Sequence, residues 1–334
     1  MKEAVIIAVM CVIVGATLRC CRVAEDLRFT LSDWNLRANA DSIRFRTSVS
    51  GRKGIVPDTG EFLRRCQSSG VVKCVGFDSP SDIEPFLSHD GEGLIRGTLD
   101  KTIKASGAGS LRFEIPSHSG QNSSGSWVSG MGGTFGPGDT FYVQFRQRFD
   151  KAMISTNFGG NGWKQAVFHT QPTGCGSIEL TTQNTYLRGF PQMYTDCGAR
   201  GFEIPIKGGA DFLLQQGDYN CKYSNRNPKD CSMYHPDQWM TFYYEIKLGQ
   251  WGTPTSSIQA WVAYEGEPLK KFIDIRNYVL NFNDGPADRY DTITLMPYNT
   301  HKPWTQTNPV AYTWYDELIV SKQPIPPPAG PTPP

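Results

Sequence analysis

A short stretch of polar side chains between bulky apolar ones, WKQAVFHTQ at residues 163–171, is the part of the sequence best suited to chemistry. In a strand, successive side chains point to opposite faces, so every second residue shares a face. One face then collects an imidazole and two carboxamides: Trp163, Gln165, Val167, His169 and Gln171. Such a face is a poor core, so it is either the floor of a polar groove or a solvated sheet surface.

Strand patterns separated by turn residues dominate the chain and must position these groups. Helical periodicity is nearly absent, and its best candidate is DTGEFLRRCQSS at residues 58–69, with Asp58 or Thr59 able to cap its start. The sequence predicts an all-β domain with few short helices, a two-sheet antiparallel β-sandwich or jelly roll over about residues 71–322. The strand candidates are rich in β-branched and aromatic residues and include TFYVQFRQRF, SIELTTQ, WMTFYYEIKLG, TITLMPY and AYTWYDELIVS.

Alternation within these strands predicts which face of each is polar. At residues 141–149 most odd positions are apolar and the even positions are polar, Arg146 among them. Residues 178–183 and 240–248 alternate in the same way. Placed side by side, such faces would form a broad polar groove with aromatic and cationic members. A groove of this kind suits a chain-like, polar and anionic ligand.

The charge balance and the chain ends limit the class of protein. With 33 Lys plus Arg against 32 Asp plus Glu, the chain has no basic excess, which argues against a nucleic-acid partner. Residues 1–23 fit a secretory signal peptide, with an uncleaved N-terminal anchor as the alternative. We expect a secreted or cell-surface protein with no transmembrane domain after signal removal. Residues 24–70 have no assigned structure, and residues 323–334 form a proline-rich tail.

Cysteine usage agrees with export. The chain has nine cysteines, and removal of the signal peptide with Cys11 leaves an even number. No spacing resembles a zinc site. Disulfides between cysteines that are close in the sequence stabilise a fold by roughly 3 kcal/mol each. Six cysteines allow 15 pairings, so the connectivity stays open. The local candidates are Cys66/Cys74, Cys175/Cys197 and Cys221/Cys231.

The order of several segments resembles the concanavalin A-like jelly rolls of secreted polysaccharide lyases, the group that includes alginate, glucuronan and heparin lyases. The resemblance covers roughly residues 71–325 and is most specific in the closing strand, YTWYDELIVSKQPIP. It implies β-elimination on an acidic polysaccharide. Such a reaction needs a group that neutralises the uronate carboxylate, a base for the α proton and an acid for the leaving oxygen.

The resemblance implies three catalytic candidates. His169 would bind the carboxylate or act as base, and Tyr298 would serve as base and acid if its surroundings lower its pKa from about 10. Arg146 would bind the carboxylate through its fork of donors. Val167 stands where the alginate-lyase pattern has glutamine. The alternatives are a hydrogen-bonded surface histidine, a tyrosine that packs after a proline, and a solvated arginine.

A second group of residues would bind the glycan. These candidates are carboxamides that could replace the missing glutamine, a cation and possible stacking platforms: Gln165, Gln171, Gln183, Asn184, Lys247, Trp163 and Tyr243. The same groove could instead belong to a non-catalytic carbohydrate-binding or cell-surface adhesion domain. A glycoside hydrolase ranks last, because the closely spaced carboxylates of sandwich glucanases are absent.

A structural calcium ion is the one cofactor that the resemblance suggests. Asp78 in GFDSP and Asp316 in WYDEL resemble the positions on the first and last strands that hold calcium in many of these jelly rolls. Calcium takes six to eight oxygen ligands, and two carboxylates alone do not supply them. The alternative is that Asp78 caps a turn and Asp316 pairs with a nearby Arg or Lys.

Overall fold

The computed structural model describes residues 59–89, 96–122, 125–159, 162–170, 179–184, 189, 191–196, 213–214, 231–280, 289–299 and 301–328. The helices there are α1 Thr59–Cys66, α2 Pro80–Ile83 and α3 Lys151–Ser155, with a 3₁₀ helix at Glu84–Phe86. The strands are β1 Val71–Val75, β2 Leu87–Ser88, β3 Thr98–Asp100, β4 Ser110–Ile115, β5 Ser126–Phe135, β6 Thr140–Phe149, β7 Lys164–His169, β8 Glu179–Asn184, β9 Pro191–Asp196, β10 Leu213–Leu214, β11 Trp239–Lys247, β12 Pro254–Tyr264, β13 Lys270–Val279, β14 Tyr290–Leu295 and β15 Ala311–Ser321.

Two antiparallel sheets make up the domain. The first sheet has the order β13-β12-β11-β6-β15-β4-β3, with β1 paired to the end of β15. The second sheet has the order β10-β9-β8-β7-β14-β5-β2. Several neighbours are far apart in sequence, since β6 lies between β11 and β15 and β14 lies between β5 and β7, so connections cross between the sheets, as in a jelly roll. The predicted all-β sandwich with few short helices is confirmed.

The core lies between the sheets and follows the predicted alternation. Phe141, Val143 and Phe145 of β6 are fully buried, and Phe145 stacks on Phe242 and Tyr244 of β11 at ring-centroid distances of 5.6 and 5.9 Å. Full burial of a side chain of this size contributes about 1.5–3 kcal/mol. Alternate positions on neighbouring strands therefore fix the register, because a slip of one residue would expose them.

The outer face of the first sheet is not the open polar surface that its sequence predicts. Helix α1 and the segment after β15 cover part of it. Phe62 of α1, Tyr243 of β11 and Ile325 form a buried cluster there, and Ile325 donates its backbone N–H to the Tyr243 hydroxyl at 3.3 Å. Gln144 is fully buried and donates to the Pro326 carbonyl at 3.2 Å. The beginning of the proline-rich tail thus packs on the domain.

Helix α1 is held to the sheet by a disulfide. The helix predicted at residues 58–69 is confirmed as Thr59–Cys66, and Cys66 is bonded to Cys74 of β1, as predicted. Cys231 is also disulfide-bonded. Its predicted partner and the other predicted pair, which are Cys221, Cys175 and Cys197, lie outside the described residues.

A glycine in β5 is required where that strand approaches β1. Gly132 has a φ of +77°, and a Cβ there would lie 2.2 Å from the Val72 carbonyl oxygen. Gly138 has a φ of +94°, but its Cβ would have no atom within 4 Å. We expect Gly132→Ala to destabilise the fold by about 2–3 kcal/mol in urea unfolding, because strain and collision add. Gly138→Ala is the control, because it introduces backbone strain without a collision. Equal losses of unfolding free energy in the two variants would contradict the steric explanation.

Candidate active site

A bulge in β7 decides which side chains reach the outer face of the second sheet. Lys164 pairs with Gln183 and Ala166 with Thr182, so two steps on β7 face one step on β8. A bulge of this kind turns a side chain to the opposite face. Lys164 therefore joins His169 on the outer face. Gln165 turns inward, and its side-chain oxygen accepts a hydrogen bond from the buried Tyr234 hydroxyl at 2.8 Å.

Trp163 also lies in the core. It is 1% exposed, and its ring is 4.9 Å from that of Phe149 and 5.1 Å from that of Tyr234. The prediction that Trp163 and Gln165 share the polar face with His169 is therefore wrong, and neither can contact a glycan on that face. The bulge is the physical reason, since strict alternation fails at one extra residue.

The ammonium group of Lys164 is the centre of a small polar cluster on this face. Its Nζ lies 3.8 Å from the Glu179 carboxylate and 5.3 and 6.0 Å from the ring centroids of Tyr298 and Tyr194. The Lys164 backbone N–H donates to the Tyr298 carbonyl at 2.8 Å, which holds the two residues side by side. The arrangement puts a cation next to two phenols, with one carboxylate balancing its charge.

Tyr298 is a neutral phenol in this environment. Burial raises its pKa, and the positive charge of Lys164 opposes that rise without reversing it. The expectation that the surroundings lower the pKa of Tyr298 is therefore not met. At neutral pH the hydroxyl keeps its proton, so it can donate to an oxygen, and only a small phenolate fraction is available as a base.

His169 is buried and fully hydrogen-bonded. It is 1% exposed, and Nδ1 lies 2.8 Å from the Thr170 carbonyl oxygen while Nε2 lies 2.7 Å from the Thr294 hydroxyl. A carbonyl only accepts, so the network assigns the proton to Nδ1 and makes Nε2 the acceptor. Burial lowers the pKa of His169, which keeps the imidazole neutral at pH 7.

Gln192 brings an amide to the same face. Met193 is in the core, so Gln192 points to the other side of β9, and its backbone pairs with Gln183, which pairs with Lys164. Gln192 is fully buried, and neither amide atom has a hydrogen-bond partner. An unsatisfied buried amide is costly, and a ligand that supplied both partners would remove that cost.

Four of these residues were not predicted from sequence: Lys164, Glu179, Tyr194 and Gln192. Lys164 was assigned to the opposite face of its strand. The strand that holds Tyr194 and Gln192, PQMYTD, was not recognised because it begins with proline. Glu179 lies directly across from His169 on β8, and its polar position in the alternating segment 178–183 was the sequence signal that could have located it.

Arg146 does not join this cluster. It lies on β6 of the first sheet, with the Glu265 and Glu317 carboxylates at 3.4 and 3.7 Å, and its guanidinium carbon is 5.9 Å from the ring centroid of Trp239. The outer faces of the two sheets are on opposite sides of the sandwich. The expectation that Arg146 shares one groove with His169 and Tyr298 is therefore wrong.

The other predicted glycan-binding residues fall into two groups. Tyr243 is buried under α1, and Lys247 is exposed near the end of β11, so both are on the first sheet and away from His169. Gln171 lies outside the described residues. For Gln183 and Asn184 only the backbone is described, at the end of β8.

Asp78 and Asp316 bind backbone rather than each other. Asp316 is fully buried and accepts from the N–H groups of Ala105, Ser106 and Glu317 at 2.7, 3.2 and 2.8 Å. Burial and the Glu317 carboxylate raise the pKa of Asp316 against these donors. Asp78 accepts from the N–H groups of Ala108 and Gly109, so the two carboxylates hold one loop.

These carboxylates hold backbone N–H groups, and calcium binding at Asp78 and Asp316 stays a prediction. Calcium takes six to eight oxygen ligands, so further oxygens would be needed beside these two carboxylates. Within the described ranges, no group of three or more His, Cys, Asp and Glu side chains is placed to share a metal ion. Asp78 caps the loop at Ala108 and Gly109, and the described side-chain partners of Asp316 are backbone N–H groups.

The two-sheet sandwich resembles the jelly-roll fold of a solved alginate lyase. No protein-family model matches the chain, and no curated protein sequence matches it. Among solved structures, the chain resembles a marine alginate lyase from Aplysia kurodai, with 12% identity, a TM-score of 0.50, and coverage of 75% of this chain and 99% of that chain.

Two further solved structures resemble the chain at lower TM-scores. One is an endo-β-1,4-glucuronan lyase from the fungus Trichoderma reesei, with 12% identity, a TM-score of 0.44, and coverage of 71% of this chain and 90% of that chain. The other is an alginate lyase from a Chlorella virus, with 10% identity, a TM-score of 0.44, and coverage of 76% and 100%. At these identities the likeness shows the fold alone.

Proposed function

We propose that the chain is a polysaccharide lyase that cleaves a uronate-containing polysaccharide by β-elimination on the outer face of the second sheet. The observation that carries this proposal is the position of the Lys164 ammonium beside the Tyr298 phenol, with its Nζ 5.3 Å from the ring centroid. A cation and a proton-transfer group are what a uronate elimination needs at one place. Their proximity is a consequence of the β7 bulge.

In the proposed reaction Lys164 neutralises the uronate carboxylate, and the amide of Gln192 adds a neutral donor. Neutralisation makes the proton α to the carboxylate more acidic. The phenolate form of Tyr298 removes that proton, and the resulting phenol returns it to the glycosidic oxygen as the carbon–oxygen bond breaks. The products are an unsaturated uronate and a free hydroxyl, so atoms and charge balance without water. His169 stays neutral, and its Nε2 accepts the hydroxyl proton of Thr294 at 2.7 Å, which fixes the orientation of both side chains.

The assay that tests this proposal is the ultraviolet absorbance of the unsaturated product. Alginate, glucuronan, pectate, heparin and hyaluronan form a suitable panel of acidic polymers. A rise with one polymer supports the lyase. Binding without a rise supports the carbohydrate-binding or adhesion alternative, and reducing sugar without the unsaturated product supports hydrolysis.

The pH dependence of the reaction follows from Tyr298. Burial raises its pKa above the usual value, so the phenolate fraction grows by about tenfold per pH unit between pH 7 and 9. We expect kcat/KM to rise over this interval. Lys164→Met removes the charge that opposes the rise, so its residual activity should require still higher pH. A rate that falls between pH 7 and 9 in the unaltered protein would contradict a phenolate base.

We propose that the protein acts outside the cytoplasm. The Cys66–Cys74 disulfide supports an oxidising compartment. No helix among the described residues is long and apolar enough to cross a membrane. The predicted signal peptide lies outside the described residues, so finding the mature N-terminus of the exported protein is the direct measurement.

A further inference from the structure

A cavity of about 500 Å³ opens beside β5, where that strand leaves its pairing with β14. Thr292 of β14 pairs with Gly130 of β5, but Tyr290 pairs with Phe135, so the residues of β5 in between are surplus to the ladder. Most of the described residues that line the cavity belong to β5, and Ser129 is one of them. None of these described lining residues takes part in the proposed elimination.

A lysine from the other sheet bonds to this serine. Lys73 lies on β1, and its ammonium group donates to the Ser129 hydroxyl at 2.8 Å. Gly132 makes the approach possible, because a Cβ there would lie 2.2 Å from the Val72 carbonyl oxygen and 3.2 Å from the Lys73 Cβ. Gly132 also lines the cavity. The close contact between β1 and β5 therefore brings an amine to a hydroxyl at the cavity wall.

The charge of Lys73 has no carboxylate partner in the part of the chain that the structure describes. The neighbours of its ammonium group are the Ser129 hydroxyl and the rings of Phe86 and Trp127, with centroids 5.8 and 5.6 Å away. Burial lowers the pKa of Lys73, because the charged form is poorly solvated there. The Asp291 carboxylate of the cavity lining does not offset this effect.

An amine and a hydroxyl in this arrangement can exchange a proton. A charged lysine donates to the serine oxygen, whereas a neutral lysine accepts the serine proton and makes the oxygen a better nucleophile. Lysine serves as such a base when it is withdrawn from water, and serine–lysine pairs replace the serine–histidine pair in some acyl-transfer enzymes. Desolvation and a direct hydrogen bond are both present at Lys73.

We propose that Ser129 is a nucleophile activated by Lys73 and that the pair hydrolyses esters with a short acyl chain. The Ser129 Oγ attacks the ester carbonyl carbon, and its proton passes to the neutral amine of Lys73. The ammonium group returns this proton to the alkoxide as the carbon–oxygen bond of the ester breaks, which leaves an acyl-serine. A water molecule that gives its proton to the same amine then attacks the acyl-serine. The carboxylic acid leaves, and the proton returns to Ser129.

The surroundings of Ser129 set the acyl class. Ser129 is 6% exposed, so only a slender acyl group can reach its hydroxyl. The carbonyl oxygen becomes negative during the attack and needs N–H donors. In this proposal the donors come from Gly132 and Gly133, which line the cavity and have no pair in β14. The inference goes beyond the proposed lyase function and does not depend on it.

Covalent labelling tests the nucleophile directly. A fluorophosphonate, which modifies activated serines, should label Ser129 in the unaltered protein, and mass spectrometry of its peptides locates the label. Hydrolysis of p-nitrophenyl acetate should be lost in Ser129→Ala. The octanoate ester should react more slowly than the acetate, because its chain is too bulky for the narrow access to Ser129.

Lys73→Arg separates catalysis from structure. Arginine keeps the positive charge and the hydrogen-bond donors but does not release its proton, so it can bond to Ser129 without activating it. We expect the rates of labelling and of acetate hydrolysis to fall by about 100-fold or more. Lys322→Met is the matched control, because the Cε of this exposed lysine would lie 3.8 Å from a Cβ at Gly133. It should keep both rates.

The outcomes separate this inference from a structural role and from the proposed lyase. A label on another residue, or no label, would overturn the nucleophile. Equal rates in Lys73→Arg and in the unaltered protein would mean that the bond to Ser129 only joins β1 to β5. Octanoate hydrolysis as fast as acetate hydrolysis would overturn the short acyl class. The ultraviolet assay for β-elimination is a separate measurement, so the failure of one activity leaves the other standing.

Discussion

Replacing Tyr298 by Phe is expected to lower kcat for β-elimination by about 10²–10⁴-fold, the usual contribution of one positioned proton-transfer group. The substitution removes only the hydroxyl, and the ring that lies 5.3 Å from the Lys164 ammonium stays in place. The loss should therefore appear in kcat, with KM changed little. Steady-state rates on the best polymer of the panel provide the measurement.

A matched variant separates chemistry from general damage. Tyr312→Phe removes a hydroxyl from a half-buried tyrosine on the first sheet, so it should leave kcat unchanged. If Tyr298→Phe keeps kcat within about threefold of the unaltered protein, Tyr298 is not the proton-transfer group. Tyr298 would then be a packing residue, which is the alternative to a catalytic role.

Lys164 and Tyr298 should behave as one unit. Lys164→Met removes the charge that the carboxylate needs and the charge that holds down the pKa of Tyr298. When two groups serve the same step, the double variant loses little more than the worse single variant. Fully additive losses would indicate that the two residues act in separate steps.

The faces of the core strands could be predicted from the sequence because their pattern is local. The alternation of Phe141, Val143 and Phe145 survives in the structure as a fully buried row. Burial of large apolar side chains on one face determines register strongly, so a period of two in the sequence is reliable wherever the strand is regular. The two-sheet architecture follows from several such strands.

The site could not be predicted to the same extent, because it depends on irregular pairing. The exchange of Lys164 and Gln165 between faces comes from one extra residue opposite β8, and no property of β7 alone indicates it. The Gly-rich strand β5, SWVSGMGGTF, was not among the predicted strands, and glycine disfavours strands. Its deviation from β14 is what opens the cavity beside Asp291.

A local sequence pattern also could not predict that α1 covers the outer face of the first sheet. Polar even positions on β6 predicted a surface facing water or a ligand, yet Arg65 of α1 donates to Gln144 of β6. That contact joins residues 79 positions apart. A polar residue on a strand thus faces either solvent or another polar residue that buries it, and the sequence pattern is the same in both cases.

This buried contact gives the largest expected effect on stability. Arg65 and Glu317 are each 2% exposed, and the Arg65 guanidinium bonds to both Glu317 and Gln144. It also bonds to Glu61 at 2.8 and 2.9 Å. Without Arg65, Glu317 keeps only the more distant Arg146 guanidinium at 3.7 Å, and buried Gln144 loses its donor. We expect Arg65→Ala to lower the free energy of unfolding by about 3–5 kcal/mol.

Urea denaturation with the disulfide intact measures this loss, and Arg64→Ala is the control because Arg64 is the exposed neighbour on the same helix. That variant should stay within about 0.5 kcal/mol of the unaltered protein.

Glu317→Gln combined with Arg65→Met should lose less unfolding free energy than the sum of the single changes, since the charges of the pair are then removed together. The active face is on the other sheet, so folded Arg65→Ala should keep its lyase rate. Equal stability of the Arg65 and Arg64 variants would mean that the buried pair contributes nothing to holding α1 on the sheet.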